Sequence, residues 1–173
     1  NTFLLAKGVS IGASLAEHAM KNNARMILDT AQKVGCKILL PSDVVVAKEL
    51  NSDVENFVVP VTDCPSELMI LDVGPKTLEK AKGILVNSKT VIWNGPLGAF
   101  EIQPFDQATN ILANFVSNLS YNEKLISIAG GGDTLAALNN AEASDGFSYL
   151  STAGGAFLEW MEGKKLPGIA ALE

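Results

Sequence analysis

The chain has little charge and few side chains that do chemistry unaided. Of its 173 residues, only 18% are charged, against 47% that are hydrophobic. That balance excludes a disordered segment and suits a sheet with both faces covered. The formal net charge is -6 and no long Lys/Arg cluster occurs, so a nucleic-acid surface, which needs a basic patch, is excluded. Any phosphate recognition must then use backbone amides. Two cysteines, Cys36 and Cys64, without CxxC spacing, are too few for a disulfide framework, which points to a reducing, cytoplasmic setting and small buried residues. One histidine, His18, excludes a multi-histidine metal centre. A nucleophilic triad would have to draw that histidine from a helical stretch far from any glycine turn, so it reads as helix surface or satisfied core. No apolar run is long enough to span a bilayer, and Asn1-Thr2-Phe3 shows no signal pattern; no membrane association is expected. A start without Met reads as the middle of a longer chain. Two phosphate motifs are missing as well. The Gly163-Lys164 pair is followed by Lys165 where a P-loop needs Ser or Thr, and no GxGxxG opens a helix.

What is present is a repeated grammar of strand, glycine turn and helix. Its clearest instance runs from Leu125 to Ala137, where an apolar run stops at Gly130-Gly131-Gly132 and an alanine-rich segment follows. The first amides of a helix have no intrahelical partner, the helix dipole leaves partial positive charge there, and glycine admits an oxygen-bearing ligand to the backbone. Phosphate is the usual guest. Asp133 next to it would repel a phosphate unless a divalent cation intervened, and Mg²⁺ binds through one or two carboxylates plus substrate phosphates. The stretch suggests a metal nucleotide; the plainer alternative is that Asp133 caps its helix.

Along the chain, Asn1 to Leu5 reads as the tail of an element ending at Gly8. Apolar spacing predicts a helix over Ser14 to Val34, capped by Gly35. Lys37 to Leu40 reads as a short strand, as do Asp43 to Ala47 and Phe57 to Val61, with a turn at Asn51-Ser52-Asp53. Met69 to Val73 is a strand leading through Gly74-Pro75 into a helix from Lys76 to Val86. Thr90 to Trp93 is another, breaking at Asn94-Gly95-Pro96-Leu97-Gly98, with a helix from Pro104 to Leu119 behind it. Leu125 to Ala129 precedes a helix to about Ala143. Phe147 to Leu150 precedes Ser151 to Gly155 and a last helix, Phe157 to Glu162, ended by Gly163 and Pro167. Strands alternating with helices predict an α/β fold: a three-layer, Rossmann-like domain with a mainly parallel sheet and helices on both faces. The glycine turns at 95 to 98, 130 to 132 and 154 to 155 are expected along the carboxyl edge of that sheet, where ligands of such sheets bind. No low-complexity linker divides the chain, so one domain is expected.

Three motifs carry a resemblance. Val91-Ile92-Trp93-Asn94-Gly95-Pro96-Leu97-Gly98-Ala99-Phe100-Glu101, Gly130-Gly131-Gly132-Asp133-Thr134, and Ser151-Thr152-Ala153-Gly154-Gly155-Ala156 with Leu158-Glu159 and Leu166-Pro167-Gly168 closely resemble the nucleotide-binding half of phosphoglycerate kinase. Ile11-Gly12, Leu40-Pro41 with Asp43, and Leu71-Asp72 with Gly74-Pro75 fall in the family's order. The resemblance covers nearly the whole chain and implies that residues 1–173 are part of the family's C-terminal nucleotide-binding domain. It implies a glycolytic kinase moving a phosphoryl group reversibly between 1,3-bisphosphoglycerate and ADP, cytoplasmic and monomeric, using ATP/ADP and Mg²⁺. The 3-phosphoglycerate or 1,3-bisphosphoglycerate would bind an N-terminal lobe that this chain lacks, so the chain alone is expected to be inactive.

Residue by residue, the resemblance places Asn94, Pro96 and Glu101 around the adenosine, with Glu101 accepting from ribose hydroxyls, and Leu71 in the adenine pocket. It places Gly131, Gly132, Asp133 and Thr134 at the phosphates, with Asp133 at the Mg²⁺. Gly154 and Gly155 would face the transferring phosphoryl. Without the family, Glu101 reads as surface and Asn94-Gly95-Pro96 as a turn. Three positions depart from the family's pattern. Ala153 stands where glycine is usual and would be strained if it needed positive φ; Phe157 stands where serine is usual; Ile70 is expected to crowd the adenine pocket. A non-catalytic nucleotide-binding module is the alternative function. A Rossmann dehydrogenase, which would bind NAD in place of ADP, has no fingerprint here.

Overall fold

Residues 1–171 are described by a computed structural model; the side chains of Phe157 and Ile169 lie outside that description. The chain divides into two units, one made of Asn1–Ala81 with Leu97–Ala108, the other of Lys82–Pro96 with Thr109–Glu173.

In the first unit, β1 (Asp43–Ala47) lies between β2 (Asn56–Pro60) and β3 (Met69–Val73), antiparallel to both. Val44, Val46 and Ala47 are fully buried, so the central strand reads as a β-branched apolar run with no polar alternation. The hairpin from β1 to β2 turns at the polar triplet, where Asn51 Oδ1 accepts the Asp53 amide at 3.2 Å. Leu4, Ile11, Val44, Val46, Val61 and Cys64 form one buried cluster.

α1 (Thr2–Ala6) and α2 (Lys21–Lys33) close with the same cap. Gly8 and Gly35 take φ of 77° and 72°, and the amides of Val9 and Cys36 return to the carbonyls of Leu4 and Ala31. That is the Schellman arrangement, which needs a residue free to adopt positive φ. The helix expected from Ser14 begins only at Lys21, because residues 11 to 14 are spent on β3. Ala13 donates to the Leu68 carbonyl at 2.9 Å, and Ser14 Oγ accepts the Ile70 amide at 2.8 Å. Lys37 to Leu40 is not a strand: no ladder among the described residues pairs with it, and an apolar run alone cannot satisfy its amides. Cys64 is buried as expected, but Cys36 is exposed. His18 is exposed, in a one-turn 3₁₀ helix before α2.

The second unit holds the repeated grammar. β4 (Thr90–Trp93), β5 (Ile126–Gly130) and β6 (Tyr149–Ser151) are parallel in the order β4-β5-β6. α3 (Pro75–Val86), which passes from the first unit into the second after Ala81, precedes these strands, and α4 (Gln107–Tyr121), α5 (Gly132–Asn140) and α6 (Gly154–Met161) alternate with them. Pro75 opens α3, where its missing N–H costs nothing. Pro167 opens the short α7 (Pro167–Ala170) for the same reason, so Gly163 ends α6 and the proline starts anew. The expected α/β fold with a parallel sheet flanked by helices is therefore observed, while the middle of the chain adds an antiparallel sheet of its own. Leu112, Val116 and Leu138 are buried, each stabilising by roughly 1.5–3 kcal/mol relative to exposure. Trp93 and Phe147 meet edge to face at 6.1 Å, with the indole N–H donating to the Gly95 carbonyl at 2.7 Å.

Candidate functional site: glycine turns at a parallel sheet edge

Each strand of the parallel sheet ends at a glycine-bearing turn, and the three turns in the second unit are tied to one another. The Gly95 amide donates to Thr134 Oγ1 at 2.7 Å, joining the turn after β4 to the first turn of α5. A methyl group built on Gly154 would stand 2.3 Å from Gly131 N and 2.6 Å from its Cα. Backbone therefore meets backbone where the turns after β5 and β6 cross, a contact no residue with a Cβ can make. Gly131, at φ 102° and ψ 144°, is the residue before α5, in a conformation that favours glycine.

These ties put the amides opening α5 and α6 at one edge of the unit, as the sequence predicts. Gly132 and Gly155, the first residue of α5 and the second of α6, differ from their neighbours in one respect. A Cβ on either meets no atom within 4 Å. The absence of a side chain there leaves open space at the start of each helix, whose first amides have no intrahelical partner, and that is where an anion would be received. Asp133 is exposed in the first turn of α5, and the helix has no side-chain cap hydrogen bond. The N-cap position of α5 is held by Gly131, two residues ahead of Asp133.

Thr134 is only 1% exposed, and its hydroxyl is engaged with Gly95. Asn94 is exposed, and its Oδ1 lies 3.5 Å from where a Gly131 Cβ would be. Pro96 is half-buried. Ala153 has φ of -105°, so the strain expected from an alanine there is not present.

Among the described residues no group of three His, Cys, Asp or Glu could hold a metal ion. A cation at this edge would have one carboxylate, Asp133, with ligand oxygens and water completing its shell. That hard-oxygen, mostly non-protein donor set suits Mg²⁺ or the similar Mn²⁺ and disfavours the softer transition metals.

Leu71 and Glu101 belong to the first unit. Leu71 is in β3 and lines a cleft of about 390 Å³ with Ile70, Asp72, Leu97, Gly98 and Ala99. Ile70 packs in part against the buried cluster of this unit, although it also reaches the cleft. Glu101 is exposed in the turns that precede α4.

Sequence reasoning passed over two buried carboxylates. Asp43 and Asp72 are 3% and 2% exposed, and each serves the start of a helix distant in sequence. Asp43 accepts the amides of Lys76 and Thr77 at the start of α3, at 2.9 and 2.7 Å. Asp72 Oδ2 accepts the Ala108 amide at the start of α4 at 2.9 Å, and its Oδ1 accepts its neighbour Val73's at 2.8 Å. Burial raises the Asp72 carboxyl to about 7, against the lowering effect of those two amides and with a further push from Asp106. Burial acts to raise Asp43 too, but the Thr77 hydroxyl, the two amides and the Lys76 charge outweigh it and leave it lowered. The signal was a carboxylate inside an apolar strand, Met69-Ile70-Leu71-Asp72-Val73.

Residues 1–164 match the family model described as phosphoglycerate kinase. The phosphoglycerate kinase of Cereibacter sphaeroides is 59% identical over 172 residues, 99% of this chain and 43% of the relative. That of Zymomonas mobilis is 57% identical over 173 residues, 100% of this chain and 44% of the relative. The structure of phosphoglycerate kinase from Coxiella burnetii superposes with a TM-score of 0.92 at 44% identity, covering 98% of this chain and 43% of its own. The chain thus spans less than half the length of the relatives it matches.

Proposed function

The chain belongs to the phosphoglycerate kinase family, and on that premise we propose that residues 1–173 are part of a C-terminal nucleotide-binding domain that takes Mg·ADP or Mg·ATP. The observation that carries this is the convergence of three glycine turns, with open space over Gly132 and Gly155. Gly131, Gly132, Asp133 and Thr134 receive the nucleotide phosphates through backbone amides. Gly154 and Gly155 present the helix-start amides for the phosphoryl in transit. Asn94, Pro96, Glu101 and Leu71 are assigned to the adenosine, Glu101 to the ribose hydroxyls.

Phosphoryl transfer asks a protein for alignment of donor and acceptor and for stabilisation of charge on the equatorial oxygens, and no nucleophilic side chain is needed. Mg²⁺ held by Asp133 would neutralise phosphate charge when bound. The helix-start amides add fixed dipoles that need no reorganisation as charge develops. The acceptor, 3-phosphoglycerate in one direction, with 1,3-bisphosphoglycerate the donor in the other, falls to the part of a full-length cytoplasmic, monomeric enzyme outside these 173 residues. A coupled kinase assay on the 173-residue chain is accordingly expected to show no turnover above background, and substantial turnover would refute that division of labour.

Calorimetric titration with Mg·ADP tests the site. Asp133→Asn is expected to reduce the Mg²⁺ dependence of binding. Glu101→Ala is expected to erase the preference for ADP over its 2′-deoxy counterpart, since a lost hydrogen bond to a charged group weakens binding about tenfold or more. If both variants bind as the parent chain does, the assigned site is wrong.

A further inference from the structure

Residues 99 to 106 form a loop that is pinned at its start, and just past its end in the first turn of α4, by two adjacent residues of β3. At one end the Ala99 amide donates to the Leu71 carbonyl at 2.9 Å. At the other the Ala108 amide donates to Asp72 Oδ2 at 2.9 Å. Between the pins the chain folds on itself through Ile102 to Ala99 and Phe105 to Ile102 amide-to-carbonyl bonds, with Phe105 fully buried. Just ahead of the loop, Gly98 lies so close to the Asp72 carboxylate that a Cβ there would stand 2.4 Å from Oδ1 and 2.5 Å from Cγ. The loop carries Glu101, and its start, Gly98 and Ala99, forms a wall of the cleft that Leu71 lines.

We propose that Asp72 is a positioning residue for the nucleotide: its carboxylate seats the loop that carries Glu101 and sets the Gly98–Ala99 wall of the cleft that Leu71 lines. The inference rests on the assignment of Leu71 and Glu101 to the adenosine. Asp72 itself would touch neither base nor ribose in this role. An ionised carboxylate accepts both amides with all its lone pairs free, whereas a protonated one surrenders an acceptor site to its own O–H. The seat is therefore tighter when Asp72 is charged. The ionisable group that acts on it is Asp106, on the loop, which opposes that charge. The raised Asp72 carboxyl, at about 7, puts the change of state within the range where binding is measured.

The test uses the 173-residue chain and Asp72→Asn, with Mg·ADP and Mg·tripolyphosphate as probes, the second having no base or ribose. At pH 8 the variant is expected to bind Mg·ADP about tenfold more weakly, as for one lost charged hydrogen-bond acceptor, and Mg·tripolyphosphate as the parent does. At pH 6 the Mg·ADP difference should narrow. In the parent chain, the proton resonances of the Ala108 and Val73 amides should titrate together near pH 7, and not in the variant. Equal weakening for both probes would mean a merely structural role and would overturn the proposal. Unchanged Mg·ADP affinity in a folded variant would overturn it too. If the variant does not fold, the parent's amide titration decides: no response from Ala108 refutes the seat, with the nucleotide assignment untouched. An Ala108 response without any binding of Mg·ADP by the parent refutes the nucleotide assignment, and this inference with it.

Discussion

Gly154→Ala is expected to lower stability by about 3 kcal/mol and to abolish measurable Mg·ADP binding, while Gly155→Ala, one residue on, leaves stability intact and loses only the binding. The contrast comes from what each new methyl meets. At Gly154 it would lie 2.3 Å from Gly131 N and 2.9 Å from the Gly130 carbonyl carbon. Backbone cannot rotate out of the way as a flexible side chain can, so α6 must move away from the turn after β5; overpacking of this kind costs roughly 1–3 kcal/mol, occasionally more. The displaced pieces are the two helix starts that receive the anion. At Gly155 the methyl meets nothing within 4 Å, and in a helix Ala is better than Gly by about 0.5–1 kcal/mol. Its only possible collision is with a ligand. Urea unfolding and calorimetric titration on both variants separate the outcomes. A Gly155→Ala chain that binds Mg·ADP normally would show that nothing is received over that turn, and a fully stable Gly154→Ala chain would show that the crossing of the turns is not as tight as described.

That contrast was half legible in the sequence. Gly130-Gly131-Gly132 and Gly154-Gly155 announced turns opening helices, because glycine after an apolar run has few other uses. The strands Asp43–Ala47, Met69–Val73 and Thr90–Trp93 have the bounds their short apolar runs predict, and the first of them is buried along nearly its whole length. What could not be read was which glycine touches protein and which touches open space. That depends on how two turns far apart in sequence cross. Thr134 shows the same limit from the polar side: next to three glycines its hydroxyl suggests a ligand contact, yet it is spent on the Gly95 amide, 39 residues away in the chain. Lys37 to Leu40 failed for a related reason, because a strand exists only where another strand pairs with it. Asp43 and Asp72 were hidden in their strands because their partners, Lys76, Thr77 and Ala108, are supplied by helices that follow much later.

Removing the first of those carboxylates should be the most damaging single change in the antiparallel unit. Asp43→Ala is expected to destabilise the chain by about 3–4 kcal/mol at neutral pH, in the range for stripping the acceptor from several buried donors. The carboxylate accepts from the Thr77 hydroxyl at 2.7 Å as well as from the Lys76 and Thr77 amides, and Gly74 is packed against it so closely that a Cβ would sit 2.4 Å from Asp43 Cγ. The pH dependence separates this residue from Asp72. Asp43 is held below its ordinary 3.8, so its stabilisation is complete above that value and is lost as pH falls through the folded-state pKa. Asp72, raised from 3.8 to about 7, does the reverse: the folded chain keeps a proton that the unfolded chain has released, so stability falls as pH rises between those values, by at most about 4 kcal/mol at about 1.4 per pH unit. Urea midpoints followed from pH 3 to pH 8 should therefore lose their acid limb in Asp43→Ala and their decline toward neutrality in Asp72→Asn. Parallel curves for the parent chain and both variants would mean that neither buried carboxylate holds its helix in the way the hydrogen bonds imply.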